Sequence, residues 1–178
     1  MRITIGVFAG IFNENGKILL RRREEKNSII SSKSYKGDWE LPGGTMEEDN
    51  IWKATSERIV GQELAREVEE ETGISIEVIS MPVMYPTVYI SKKKRRVDFA
   101  FMIPVGIARE RPTKGETTYV SPKELRELAD RSKGGQLVSG WGRRMCRMAL
   151  MALCNSPNHQ YRDEAQKMLL EIQKDKRE

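Results

Sequence analysis

The 178-residue chain is poor in the side chains that hold transition metals or disulfides. Its one histidine is His159, in "NSPNHQ", where the first turn of a helix is expected; a lone histidine excludes the common histidine-rich metal sites. Its two cysteines, Cys146 and Cys154, lie eight apart in one helical segment, with no CxxC pair. That spacing describes neither a zinc site nor a disulfide framework, so both are expected to be reduced packing residues. No apolar run is long enough to span a membrane. The opening "MRITIGVFAGIF" resembles a leader in its early arginine and apolar stretch, but it lacks a convincing cleavage site and "NENG" follows at once. It reads as a buried strand, and the cytoplasm is the expected location. Internal repeats and low-complexity tracts are also missing. The length suits one domain, or one domain with a helical appendage.

What is abundant is charge. Charged residues make up 32% of the chain, its net charge is +5 and its pI is about 9.2, a balance that favours phosphate-bearing partners without identifying them. Against this balance, "REVEEETG" sets Glu67, Glu69, Glu70 and Glu71 around the single base Arg66, with Glu63 three residues upstream. Like charges at helical spacing repel by roughly 0.2–0.5 kcal/mol per pair, so something must offset them.

Strands are expected over 2–12 and 17–23, joined by "NENG", whose Asn15-Gly16 is a hairpin signal. The polar stretch 24–38 reads as a long loop, followed by a short strand over 39–41 that Pro42-Gly43-Gly44 breaks. A helix is expected from about 50 to 72, stopped by Gly73. Strands near 75–90 and 95–108 follow, joined across "SKKKRR"; Pro82 and Pro86 should bend or bulge the first, or place it at an edge. A brief strand at Tyr119 and Val120 leads into a helix capped by Ser121, with Pro122 at its first position. After the break at 133–135, helices are expected near 138–154 and 157–175, the second entered through Ser156-Pro157. Met145, Met148, Leu150, Met151 and Leu153 form a stripe expected to pack on the core rather than face a partner. The class is α+β, with residues 1–132 as the domain and 133–178 as a helical extension packed on it.

At about 100° per residue, Glu67, Glu70 and Glu71 share roughly a third of the helix circumference, with Glu63 on the same face one turn earlier. Val60, Leu64 and Val68 form an apolar stripe beside them, and Glu69 points nearly the opposite way. A hard divalent cation prefers such oxygen ligands, and a bound one would offset the repulsion. The bland alternative is a solvated face, with Arg66 paired to Glu69 or Glu70. "WELPGG" before the helix shifts the balance, because a glycine pair permits close backbone approach and offers a carbonyl ligand.

These segments together resemble the Nudix (MutT-like) hydrolase family. Its motif is Gly, five residues, Glu, seven residues, then Arg-Glu-apolar-x-Glu-Glu-x-Gly-apolar. Arg66, Glu67, Val68, Glu70, Glu71, Gly73 and Ile74 match the second half in full, and Gly44 matches the leading glycine. "AGIFNENGKILLRRR" is similar to the family's first hairpin and "YVSPKELREL" to its strand-to-helix exit, so the likeness covers about residues 4–130. One departure stands out: 21 residues separate Gly44 from Arg66, against 13 in the pattern, so eight are inserted. Counting back from Arg66 puts Arg58 at the motif's first glutamate with Glu57 one place off, and either Glu57 or Glu63 is expected to fill that role. Trp52, in the insert, is expected to anchor an extra helical turn or to cap the site's edge, with the anchor favoured.

The resemblance implies a Nudix-like α/β/α sandwich with a mixed sheet, plus two C-terminal helices. It also implies hydrolysis of a nucleoside diphosphate linked to another moiety, with Mg²⁺ or Mn²⁺ as cofactor. Carried over, Glu67, Glu70, Glu71 and the Gly43 carbonyl are metal ligands, and Arg66 orients a carboxylate. Glu67, Glu70, Arg66 and Glu116 form the expected catalytic set, with Glu116 as a further acid from a later loop. Gly44, Arg22, Trp39 and Glu40 are the expected substrate contacts. Pro86 and Tyr89 miss the spacings that mark ADP-ribose and diadenosine polyphosphate hydrolases, which favours a nucleoside triphosphate pyrophosphohydrolase. A nucleotide-sugar or ADP-ribose pyrophosphatase, or a non-catalytic nucleotide- or RNA-binding domain, stays open. The expected partner is a small nucleotide, not a nucleic acid or a membrane, and a homodimer is left open.

Overall fold

The computed structural model describes residues 2–24, 27–28, 31–34, 37–46, 57–77, 85–91, 96–130 and 142–174. Among these are nine strands: β1 (Arg2–Phe12), β2 (Ile18–Arg22), β3 (Asn27–Ser28), β4 (Ser31–Ser34), β5 (Trp39–Glu40), β6 (Gly43–Thr45), β7 (Tyr85–Ser91), β8 (Arg96–Ile107) and β9 (Thr117–Val120). Four helices accompany them: α1 (Glu57–Thr72), α2 (Pro122–Ala129), α3 (Gly142–Leu153) and α4 (His159–Lys174). The expected helix over 50–72 is present from Glu57, whose side chain, like those of Trp52 and Pro82 and the basic tip 92–95, lies outside the described residues.

The main sheet runs β5-β2-β1-β8-β7, with β6 paired to β1 and β9 paired to β2. β1 and β8 run parallel from Arg2 beside Arg96 to Phe12 beside Ile107, and the other pairs are antiparallel, so the sheet is mixed. A bulge shifts the β1–β8 register between Gly10, opposite Pro104, and Ile11, opposite Gly106. β7, which carries Pro86, ends the strand order, so its proline sits where a missing donor is tolerated.

Alternation along the strands makes two apolar layers. Val7, Ala9, Ile11 and Leu19 turn to one side, where they pack with Val60, Leu64 and Val68 of α1. Full burial of Leu64 and Val68 contributes about 1.5–3 kcal/mol each. Phe8, Phe12, Ile18 and Leu20 turn to the other side, against the expected stripe of α3: Met145, Met148, Leu150 and Leu153 are buried there and Met151 is partly so. A Cβ on Gly10 would lie 2.8 Å from the Ala152 Cβ, so both residues must be small where α3 crosses the sheet. Cys146 and Cys154 are free thiols; burial pushes Cys146 up to about 11, as suits a packing residue.

Three expectations are corrected. Residues 24–38 are not a simple loop: β3 and β4 pair as a small antiparallel ribbon, which their polar sequence concealed. The proline-glycine break lasts only Leu41 and Pro42, since Gly43–Thr45 rejoins the sheet beside β1. Ser156 does not cap the last helix. Its hydroxyl donates to the Gly16 carbonyl (2.7 Å), and the Asn158 side chain instead accepts from the amides of Gln160 (3.0 Å) and Tyr161 (3.4 Å). The Ser121 cap is as expected, closed into a capping box by Glu124.

Candidate active site

α1 lies across β1 and β6, and its acidic face meets the end of β2 and the Leu41–Thr45 segment. Gly73 ends the helix in the left-handed region (φ 71°), and its amide donates to the Glu69 carbonyl (3.0 Å). The loop before β9 covers that end: the amides of Thr113 and Lys114 donate to the Thr72 carbonyl, and Lys114 Nζ reaches the Glu69 carbonyl (3.2 Å).

Arg66 gathers the acids of α1. Its guanidinium contacts Glu63 (3.3 Å), Glu67 (2.6 Å) and Glu70 (2.9 Å), and these bonds, first that to Glu70, hold Arg66 well above its ordinary pKa. Glu69 is exposed and outside this group. Glu71 looks instead to the sheet, where its Oε2 accepts from the Gly43 amide (2.9 Å) and its Oε1 meets Arg21 Nη2 (2.5 Å). The same Arg21 nitrogen pairs with Glu40, which Arg23 also contacts (3.2 Å). Two arginines on two elements thus offset the like-charge repulsion of the helix.

The glycine pair permits this proximity. Gly43 has φ 140°, and a Cβ there would collide with the Val7 carbonyl at 2.1 Å. A Cβ on Gly44 would lie 2.4 Å from Glu67 Cδ, so that carboxylate rests directly on the Gly44 backbone. Burial pushes Glu67 upward and Glu71 up to about 8, despite the arginines that pull both the other way.

A hard divalent cation fits this donor set. The groups are all oxygen and come from one helix face and a side-chain-free turn, and a bound cation would counter the burial that raises Glu67 and Glu71. Among the described residues no three His, Cys, Asp or Glu already form a cage, and a cation would share carboxylate oxygens that also accept from Arg66 and Arg21.

The other expected residues separate. Glu40, opposite Arg21 across the strands, is 3% exposed and paired with Arg21 and Arg23. Arg22 and Trp39, also opposite one another, turn to the other face, with the guanidinium 5.9 Å from the ring centroid. Arg22 also donates to Glu116 (2.9 Å) and the Gly37 carbonyl (3.0 Å). The structure therefore brings Glu67, Glu70, Glu71, Arg66, Gly43 and Gly44 together, and places Arg22, Trp39 and Glu116 in a second group. Arg21 and Arg23 went unnoticed in the run of three arginines; the strand period, which sets them on Leu19's side facing α1, was the available signal.

Comparison with known proteins identifies the family. The sequence profile of the NUDIX domain matches residues 2–138. The chain belongs to the NUDIX domain family. It is a Nudix pyrophosphohydrolase by that membership. No curated protein matches the chain. Among solved structures it is similar to the MutT protein of Methanosarcina mazei, at 24% identity over 83% of this chain and 93% of that one (TM-score 0.56). It is also similar to the E. coli ORF135 protein, at 25% identity over 86% and 91% of the two chains (TM-score 0.51). The NUDIX domain of Shewanella oneidensis NrtR, solved with ADP-ribose, shares 14% identity over 86% and 88% (TM-score 0.52). These likenesses establish the α+β Nudix sandwich.

Proposed function

We propose that this Nudix protein uses Mg²⁺ or Mn²⁺ to hydrolyse a nucleoside diphosphate linked to another moiety, acting foremost as a nucleoside triphosphate pyrophosphohydrolase. The observation that carries the reading is the approach of Glu67 and Glu71 to the side-chain-free Gly43–Gly44 turn, with Glu70 joined to Glu67 through Arg66. In this reading those carboxylates and the Gly43 carbonyl hold the cation. Once bound, it supplies neutralisation of the pyrophosphate oxygens and a lowered pKa for a coordinated water. Arg66 orients Glu67 and Glu70, and the missing side chain at Gly44 leaves the room that the Glu67 carboxylate occupies.

Arg22 and Trp39 are assigned to substrate contact, and Glu116 to the further acid. What supports the latter is that its loop docks on the end of α1, with Gly115 against the Glu71 carbonyl, although Arg22 would have to release the Glu116 carboxylate. Residues 1–132 form the hydrolase domain and 133–178 its helical extension; the seating of α3 on the sheet favours this division. The substrate is a small nucleotide, and the location cytoplasmic.

A Mg²⁺-dependent phosphate-release screen across nucleoside triphosphates, nucleotide sugars, ADP-ribose and dinucleotides tests the proposal. Nucleoside triphosphates should turn over fastest. Preference for ADP-ribose or a nucleotide sugar would move the substrate assignment, and no hydrolysis of any class would refute the enzyme.

A further inference from the structure

Arg21 lies outside the family motif, yet one of its nitrogens joins two carboxylates from different elements. Nη2 meets Glu71 Oε1 of α1 at 2.5 Å and also pairs with Glu40, its direct cross-strand partner on β5. Glu40 is 3% exposed and held from its other oxygen by Arg23 (3.2 Å), so this end of the bridge is anchored in the sheet. The Arg21 side chain is itself only 17% exposed. With Oε1 on Arg21 and Oε2 on the Gly43 amide, both Glu71 oxygens are pinned. Glu71 sits on the last turn of α1, where packing of the Val60–Leu64–Val68 stripe fixes the helix but not the χ angles of a glutamate.

We propose that Arg21, anchored by Glu40, is a positioning residue that fixes the Glu71 carboxylate in the orientation needed for it to share a divalent cation with Glu67 and Glu70. This rests on the metal-dependent hydrolase reading above. Arg21 touches neither substrate nor reacting atoms. Its effect passes through Glu71, as the partners of metal ligands generally act. A simple counter-charge would act in the opposite direction, because a guanidinium beside a cation site repels the cation and its removal would tighten binding.

The test uses Arg21→Lys, which keeps a donor and a charge, and the double variant Arg21→Gln/Glu40→Gln, which removes the bridge without leaving Glu40 as an unpaired buried charge. Mn²⁺ binding to the whole protein is measured by calorimetry without substrate, alongside kcat, KM and Tm. The double variant should bind Mn²⁺ about tenfold more weakly and lose kcat by 10- to 100-fold with KM within about threefold, and Arg21→Lys should recover most of both. If the double variant folds and binds Mn²⁺ as well as or better than wild type, the positioning role is overturned while the hydrolase stands. If the double variant unfolds, Arg21→Lys and Glu40→Gln decide: unchanged Mn²⁺ affinity in Glu40→Gln overturns the anchored bridge. Wild-type protein that neither binds Mn²⁺ nor hydrolyses any nucleotide overturns the functional reading and this inference together.

Discussion

Gly43 and Gly44 are adjacent, yet a methyl group should do different damage at each. In Gly44→Ala the new Cβ starts 2.4 Å from Glu67 Cδ, and both carboxylate oxygens lie within 2.7 Å. Ordinary carbon contact begins near 3.5 Å, so Glu67 must move by about 1 Å. What moves is the end of a flexible side chain rather than backbone, and Gly44 does not lie in the left-handed region, so stability should change little. A positioned group displaced by about 1 Å loses roughly a hundredfold in rate. At Gly43 the methyl meets the Val7 carbonyl at 2.1 Å, a backbone atom in the paired strand β1, at φ 140°. Gly43→Ala should therefore be destabilised by more than about 1 kcal/mol, whatever it does to activity. Steady-state kinetics on the best substrate of the screen, with thermal melts of both variants, separates the two effects. A Gly44→Ala protein with kcat within threefold of wild type would refute the seating of Glu67 on the glycine, and a melting point reduced as far as that of Gly43→Ala would refute the claim that only a side chain yields.

Glu70→Gln and Glu71→Gln should each lower turnover by roughly a hundredfold or more while Glu69→Gln does little, because only the first two are proposed cation ligands; equal losses at Glu69 and Glu70 would contradict the face assignment. Glu116→Gln should reduce kcat more than substrate affinity, and unchanged kinetics would leave its carboxylate as an ion-pair partner of Arg22 alone. For pH, Glu124 is held below the ordinary glutamate range, first by the Ser121 amide and then by Lys17. Its folded pKa is depressed, so the stability it adds is present above about 4.5 and lost as pH falls through the lower folded value. Melts from pH 6 to pH 3 should show Glu124→Gln losing part of the acid-side decline, and an identical slope in both proteins would contradict the cap's contribution.

The acidic helix was legible because a 3.6-residue period places Val60, Leu64 and Val68 on one stripe with the acids beside them, and the structure buries that stripe. The first hairpin was legible from Asn15-Gly16, where Gly16 has φ 78° and a Cβ would strike Asn158 and Ser156 at 2.5 Å. The partners in that collision were not legible, since local sequence does not reveal that the last helix begins against the first turn. The same limit hid the true cap: Ser156 and Asn158 are both good capping residues, and only the distant Gly16 carbonyl selects between them. Arg21 escaped for another reason, since three consecutive arginines fall on alternating faces and only the partner strand shows which one meets the helix. The burial of Glu40 was not legible either, since it follows from the pairing register that sets it opposite Arg21.

The parallel union of β1 with β8 bears on how the chain reaches this structure. β1 is the first strand, and it lies between β8 on one side and β2 and β6 on the other, so its long partner comes from the far side of α1 in sequence. Strands paired at such separation close late and fold slowly, because a large loop must be ordered before the contacts that reward it form. Until residues 96–107 are available, an apolar strand carrying Val7, Phe8, Ile11 and Phe12 has one open edge. A chain cut before β8 would present that edge to any other strand, the usual template for intermolecular β-pairing. During synthesis, protection of β1 thus depends on a segment made after the entire acidic helix, and fragments ending near residue 90 should aggregate where the full chain does not.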